Sequence, residues 1–191
     1  MKKFTITAFT SLMLAFSSTA FSQIQAIGVG GGLVMPSGNF SDFAESGFGG
    51  TVRLHYKYEG LDNIVLTGSA GYYRFGAKEF NFLGFGTGLK YKWTLVPLTS
   101  GGRYYFGDPE AKVNFYLGAE IGVHIFSVTL EDDQGQSASG FGTLDSSTEF
   151  SLIPMAGVRL GPLDAYAQYS IAGDFKYFGV KAMVVFPVGK K

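Results

Sequence analysis

At residues 113–126 the chain reads VNFYLGAEIGVHIF, and two kinds of side chain alternate along it. The odd-numbered positions are all apolar, whereas the even-numbered positions carry Asn, Tyr, Gly, Glu, Gly, His and Phe. A period of two residues predicts a β-strand with two distinct faces. The mixed face lacks the Lys, Glu and Thr that usually cover a water-exposed sheet, and its small and aromatic residues favour a crowded, narrow interior. Whether the apolar face meets a protein core or lipid depends on the rest of the chain.

The composition excludes several classes of function. The 191 residues suffice for one domain, and they include 28 Gly, 19 Phe and 11 Tyr but only 15 acidic and 15 basic residues. This balance gives no basic surplus, so we expect no nucleic-acid partner. Cysteine is absent, which excludes disulfides, cysteine-based zinc sites and thiol catalysis.

The N-terminus has the features of an export signal. Lys2 and Lys3 precede a moderately apolar stretch at 4–16, and Ala20-Phe21-Ser22 places small residues where a signal peptidase cleaves. We therefore predict a signal peptide at 1–22 and a mature domain at 23–191. No other run approaches the roughly 20 apolar residues of a membrane helix.

Seven further segments alternate as residues 113–126 do, which predicts eight strands in all. They are 27–35, 48–58, 63–75, 94–106, 150–160, 163–170 and 178–186. We expect long connections at 36–47, 76–93 and 128–147, short ones at 59–62, 107–112 and 161–162, and an intermediate one at 171–177. Alternating long and short connections are typical of an up-and-down barrel in an outer membrane, with the short turns and both termini periplasmic.

The small residues indicate which face points outward. If the apolar faces meet lipid, the residues that fall in the lumen include Gly30, Gly32, Thr51, Gly118, Gly122 and Gly157. An eight-stranded barrel has little interior room, so small residues there have a steric purpose. Aromatic residues near strand ends suit the two membrane interfaces: Tyr56, Tyr58, Tyr104, Phe106 and Phe186. The predicted fold is all-β, an eight-stranded antiparallel up-and-down transmembrane β-barrel.

Five segments carry a family resemblance that covers almost all of the mature chain. They are GGGLVMPSGNFSD at 30–42, LTGSAGYYRF at 66–75, VPLTSGGRYYFG at 96–107, FYLGAEIGV at 115–123 and VRLGPLDAYAQY at 158–169. The chain resembles the small outer-membrane β-barrel family of Gram-negative bacteria, particularly the versions common in Bacteroidetes. The resemblance implies a cell outer membrane location with outer-membrane lipid and lipopolysaccharide as surroundings. It implies no particular activity.

The predicted lumen holds nine ionisable groups that could carry chemistry. They are Arg53, His55, Lys57, Arg103, Glu120, His124, Arg159, Asp164 and Lys181, together with Gln168. One interpretation is a salt-bridged network that fills and braces the barrel, because buried charges must be paired. The alternative is a small anion-selective pore or transporter, since cations outnumber carboxylates.

Catalytic and metal sites have weaker support. Glu120 and His124 share a face, but four residues along a strand span about 13 Å, too far for both to bind one ion. Lipid A deacylases among such barrels use a His and a Ser two residues apart facing lipid, whereas His124 is followed two residues later by Phe126 and His55 by Lys57.

The remaining motifs predict no ligand. The acidic run at 131–133 lacks calcium-loop spacing, and no helix follows the glycine runs at 28–32 and 84–88 as a phosphate loop requires. We therefore expect a monomer without cofactor, metal or enzymatic activity, although a lipid A-modifying enzyme stays a third alternative. Its role would be structural or surface-interactive, with loops 76–93 and 128–147 facing extracellular partners.

Overall fold

The computed structural model describes residues 24–57, 60–82, 85–108, 111–131 and 145–188, so the predicted signal peptide lies outside the described residues. The strands are β1 (Ile24–Ser37), β2 (Ala44–Lys57), β3 (Ile64–Phe82), β4 (Phe85–Tyr105), β5 (Val113–Glu131), β6 (Asp145–Leu160), β7 (Leu163–Ala172) and β8 (Phe175–Pro187). A 3-10 helix, Gly38–Asp42, joins β1 to β2. Each strand pairs antiparallel with the next, and β8 pairs with β1 to close the barrel. The predicted fold class is confirmed.

On β5 the apolar face points outward and the mixed face points into the barrel, as the alternation predicts. Phe115 is 63 % exposed and its odd-numbered neighbours on β5 also face outward, whereas Glu120 is 2 % exposed and lies inside. The register continues this pattern around the barrel, because directly paired residues share a face. Outward side chains in the middle of every strand are therefore uncharged, and the buried polar side chains lie in the lumen.

An uncharged band encircles the outside of the barrel. On β2 the outward aromatics Phe48 and Tyr56 are eight residues apart, and on β8 Phe178 and Phe186 have the same spacing. Eight residues span about 26 Å along a strand, or about 20 Å along the axis of a barrel whose strands tilt by roughly 40°. Between these two aromatic levels, no outward position of the described strands carries a charged side chain. The band is close in height to the apolar belt of about 25 Å expected of a membrane barrel.

The two ends of the barrel differ. The near end holds the first and last described strand ends, Ile24 and Pro187, and the links from β2 to β3, from β4 to β5 and from β6 to β7. The far end holds the 3-10 helix Gly38–Asp42, the turn at Gly173 and the long hairpin of β3 and β4. None of the helices in the part of the chain that the structure describes is long and apolar enough to cross a membrane.

The prediction of a long loop at 76–93 is wrong. Strand β3 runs on to Phe82 and β4 begins at Phe85, with Lys78 paired to Tyr91 and Phe82 paired to Phe85. The register shifts between Arg74 and Lys78 and again between Glu79 and Asn81. Each shift is an irregularity that breaks the two-residue period, so the sequence pattern does not reveal that the strand continues there.

The other far-end connections are also shorter than predicted. The 171–177 link is a two-residue turn with Gly173 at φ +57°, and the 36–47 connection shrinks to the 3-10 helix with its flanking Phe43. Within 128–147, strands cover 128–131 and 145–147, and residues 132–144 lie outside the described part. Strand extension therefore replaces most of the loop length expected at the far end.

A glycine in the lumen shows how little room the barrel has. A Cβ atom added at Gly157 would lie 2.5 Å from the Tyr116 hydroxyl and 2.6 Å from Tyr166 Cβ. Real Cβ atoms essentially never approach so closely, so two tyrosine side chains occupy space that only glycine leaves free. The steric purpose predicted for Gly157 is confirmed.

Candidate functional site in the barrel lumen

A buried ion pair crosses the middle of the lumen. Glu120, on β5, accepts a hydrogen bond from Arg53 Nη2, on β2, at 2.9 Å between Nη2 and Oε1, and both side chains are at most 2 % exposed. Three hydroxyl groups surround the same carboxylate: Thr67 lies 3.0 Å from Oε1, and Thr99 and Ser69 lie 2.8 and 3.2 Å from Oε2. Charge-assisted bonds of this kind are the strong ones, so Glu120 is held from four sides.

A second buried pair lies closer to the near end. Arg103 Nη1 donates to Asp164 Oδ2, and the Tyr116 hydroxyl donates to Asp164 Oδ1 at 2.7 Å. The Arg103 guanidinium lies 4.4 Å from the centroid of the Tyr116 ring and 5.1 Å from that of the Tyr166 ring. Arg53 lies over the Tyr166 ring as well, at 4.7 Å. Tyrosine faces therefore replace much of the water that the guanidinium groups lose on burial.

The two histidines occupy different parts of the lumen. His124 is fully buried, stacks on Tyr177 with 5.7 Å between ring centroids, and places Nδ1 3.4 Å from the Ser170 hydroxyl. His55 is buried towards the near end, where a Cβ added at Gly28 would lie 3.3 Å from Nε2. Neither ring reaches the lipid-facing surface.

The other predicted lumen residues differ in how deeply they are buried. Lys181 is buried with Nζ 4.5 Å from the Tyr73 ring centroid, and Gln168 is buried too. Lys57 is half-buried at the near end, and half-buried Arg159 donates from Nε to the Gly161 carbonyl at 3.3 Å. The described residues contain no group of three or more His, Asp and Glu side chains able to hold a metal ion.

An aromatic plug, of which the sequence placed only Phe126 on the lumen-facing side, closes the far end above these charges. Phe40 of the 3-10 helix turns into the barrel mouth and is 2 % exposed. Its ring meets four others edge-on, at centroid distances of 5.1 Å to Phe75, 5.6 Å to Trp93, 5.9 Å to Phe126 and 5.3 Å to Phe175. Phe126 and Phe175 stack at 4.2 Å. We define the aromatic plug as these five residues.

The site residues that were not predicted from the sequence fall into two groups. Phe40, Trp93 and Phe175 fell within segments predicted to be connections. Thr67, Ser69 and Thr99 did face the lumen by alternation, and that alternation is the signal that could have found them. These hydroxyl groups carry no charge, yet they provide most of the hydrogen bonds to Glu120.

No family model and no curated protein sequence matches the chain. Solved structures similar to it include two that are each 18 % identical with a TM-score of 0.54. One is Ail, the attachment invasion locus protein of Yersinia pestis, in complex with the heparin analogue sucrose octasulfate; the match covers 86 % of this chain and 99 % of that one. The other is Neisserial surface protein A, with 85 % and 96 % covered. The likeness shows a shared fold, the closed eight-stranded β-barrel of small outer-membrane proteins.

Proposed function

We propose that the chain is an integral outer-membrane barrel with a filled lumen and a structural or surface-interaction role. The uncharged outer band carries this proposal, because it is flanked by aromatic residues at both levels while the buried charges lie inside. In water such a wall would be a continuous apolar surface far larger than soluble monomers expose. In a bilayer it is the surface that lipid requires.

The side chains inside the barrel support the proposal that its lumen is filled. Two ion pairs cross it, tyrosine rings lie against both guanidinium groups, and the aromatic plug closes the mouth. The observation that favours a pore is the excess of buried cations: Arg53, Arg103 and Lys181 face Glu120 and Asp164. A pore also needs a continuous open path, and the Phe40 side chain lies across it at the far end. We therefore favour the structural role over anion transport.

The position of the histidines supports a non-enzymatic protein. A lipid A-modifying hydrolase needs its base and nucleophile on the lipid-facing wall, where the substrate is. His55 and His124 both lie inside the closed barrel, and the residue near His124 Nδ1 is the equally buried Ser170. Neither histidine can reach a lipid substrate from this position.

The remaining parts of the proposal concern location and contacts. We propose that residues 1–22 are a signal peptide, that 23–191 form the mature domain as a monomer, and that the near end with both termini is periplasmic. The far end then faces outward, and its projecting hairpin of β3 and β4 with residues 128–147 is the surface offered to partners. Likeness to the versions common in Bacteroidetes stays a prediction.

Two measurements test this function. The refolded barrel should co-float with phosphatidylcholine vesicles and migrate faster on a detergent gel before boiling than after it. A protein that stays soluble without detergent contradicts membrane residence. In planar bilayers the protein should give no steady conductance, and a reproducible anion-selective current would replace the filled barrel with the pore alternative.

A further inference from the structure

The lumen carries more positive than negative charge. Among the described residues the buried cations are Arg53, Arg103 and Lys181, and the buried carboxylates are Glu120 and Asp164. Each arginine has its own carboxylate, whereas Lys181 lies against the face of the Tyr73 ring. One positive charge is therefore left over in a space that the strands enclose. A buried charge without a counter-charge is costly.

Both guanidinium groups also have unused donors. Arg53 binds Glu120 through Nη2 and Arg103 binds Asp164 through Nη1. In each arginine, Nε and the other Nη have no hydrogen-bond partner among the described residues. The two guanidinium carbons lie 4.7 and 5.1 Å from the centroid of the Tyr166 ring, so these donors occupy the same part of the lumen.

Two more buried polar groups lie in this part of the lumen. His55 is 1 % exposed, Arg103 and Arg53 both place positive charge near its ring, and neither ring nitrogen has a partner within the described part of the chain. Tyr105 faces inward two residues after Arg103 on β4, and its buried hydroxyl is unpartnered in the same sense. Its ring lies 5.2 Å from the Tyr116 ring, which the Arg103 guanidinium covers at 4.4 Å.

An anion provides what these groups need. Guanidinium and phenol groups donate hydrogen bonds, and an imidazole donates from at least one nitrogen, so they require an acceptor. Water is an acceptor but cannot balance the surplus charge. The space beside His55 is narrow, because a Cβ built at Gly28 would lie 2.8 Å from Met183 Sδ and 3.3 Å from His55 Nε2.

We propose that Arg53, Arg103, His55 and Tyr105 bind one small monovalent anion, of the class of chloride, inside the near end of the barrel. The anion is a structural counter-ion that neutralises the lumen and accepts hydrogen bonds from the unpartnered donors. The proposal deepens the filled lumen proposed above and rests on it.

The dependence of stability on chloride tests this site. The full barrel is refolded into phosphatidylcholine vesicles and unfolded in urea while sodium gluconate is replaced stepwise by sodium chloride at constant ionic strength. Gluconate is too large for the space beside His55. A ligand that binds only the folded state raises the free energy of unfolding, so we expect the urea midpoint to rise with chloride, with a slope of one anion per barrel. An unchanged midpoint means that water or an uncharged Lys181 completes the lumen, and it overturns the proposal.

A pair of tyrosine variants assigns the effect to the site. Tyr105→Phe removes an unpartnered hydroxyl and should lower the chloride affinity about tenfold, since a hydrogen bond to a charged group contributes about that factor. Tyr104→Phe is the matched control, because this neighbouring side chain faces outward and is 48 % exposed. It should leave the chloride dependence unchanged. If the two variants behave alike, the effect of chloride is a general salt effect and the proposal fails.

A pair of lysine variants tests the charge balance. Lys181→Met removes the surplus charge but none of the proposed donors, and it should lower the chloride affinity about tenfold, because charges act strongly on each other in an enclosed lumen. Lys112→Met, at an exposed position of the near end, should have no effect. Equal effects of the two variants contradict a counter-ion role.

Crystals of the barrel grown in sodium bromide give the position of the anion. We expect one anomalous bromide peak within hydrogen-bonding distance of Arg103 and His55. A peak beside Lys181 instead, or peaks on the outer surface only, overturns the assignment. Either failure leaves the proposed function standing if planar bilayers show no steady conductance, whereas a steady anion-selective current refutes the filled lumen itself.

Discussion

Neutralising Glu120 should strongly destabilise the barrel. Glu120→Gln preserves the size of the side chain but removes the charge that faces Arg53. The Nη2 to Oε1 distance is 2.9 Å with both groups buried. At an effective dielectric constant of about 20, two unit charges at that distance attract by roughly 6 kcal/mol, before the desolvation of both groups offsets part of it.

The expected loss is smaller than this gross attraction but still large. Removing one partner of a buried pair leaves the other charge uncompensated, which costs about 3–5 kcal/mol. The hydroxyl groups of Thr67 and Thr99 increase the loss, because both donate to the carboxylate that the amide replaces. Replacing both members, as in Arg53→Met with Glu120→Leu, should restore much of the stability, since well-packed apolar residues often equal a buried ion pair.

Urea unfolding of the refolded barrel, followed by Trp93 fluorescence and by gel migration, measures these changes in the free energy of unfolding. Arg159→Gln is the matched control, because Arg159 is a half-buried lumen cation whose described partner is the Gly161 carbonyl. We expect it to lose no more than about 1 kcal/mol. If Glu120→Gln loses no more than Arg159→Gln, or the double replacement is as unstable as the single, the lumen is not held by paired charges.

Three further changes test the packing and the outer wall by the same unfolding measurement. Gly157→Ala should destabilise the barrel by about 1–3 kcal/mol, because the added methyl group enters space that Tyr116 occupies. Phe40→Ala should destabilise it by about 3–5 kcal/mol, since the ring at the centre of the aromatic plug is lost. Ile121→Lys, on the outer wall between the two aromatic levels, should cost about 2–4 kcal/mol in a bilayer.

Each of these variants has a control that makes the same kind of substitution elsewhere in the barrel. Gly68→Ala adds a methyl group where no atom lies within 4 Å, and Phe43→Ala removes a ring that is 61 % exposed beside the same 3-10 helix. Val113→Lys places the charge at the start of β5, close to the interface. All three should change stability by less than about 1 kcal/mol. Equal losses in a variant and its control would refute the packing or the depth argument behind that pair.

The sequence predicted the architecture because one physical constraint repeats on every strand. A wall between lipid and a narrow lumen requires alternation, and residues 113–126 show it without interruption. The number of strands, their antiparallel order and the face of each charged residue follow from that pattern. The inward positions of Arg53 and Glu120 were predicted from it, but their partners were not, because pairing depends on the register between distant strands.

The prediction failed where the backbone departs from regular pairing. The register shifts after Arg74 and after Glu79 invert the two-residue pattern, so the β3–β4 hairpin resembled a glycine-rich loop. Phe40 was missed for a different reason, since a lone aromatic within the polar turn Gly38–Asp42 shows no periodicity. Its burial depends on the barrel mouth, a space created by all the strands together, and no local pattern encodes it.

The same constraint explains why the buried charges are a poor guide to function. Lipid excludes charge from the outer wall, so ionisable residues on the strands within the band must point inward, where the small lumen forces them to pair. Glu120 with Arg53 and Asp164 with Arg103 are therefore consequences of the fold before they are candidates for chemistry. Positions beyond the aromatic levels are free of that constraint, and charges there can be selected for a ligand.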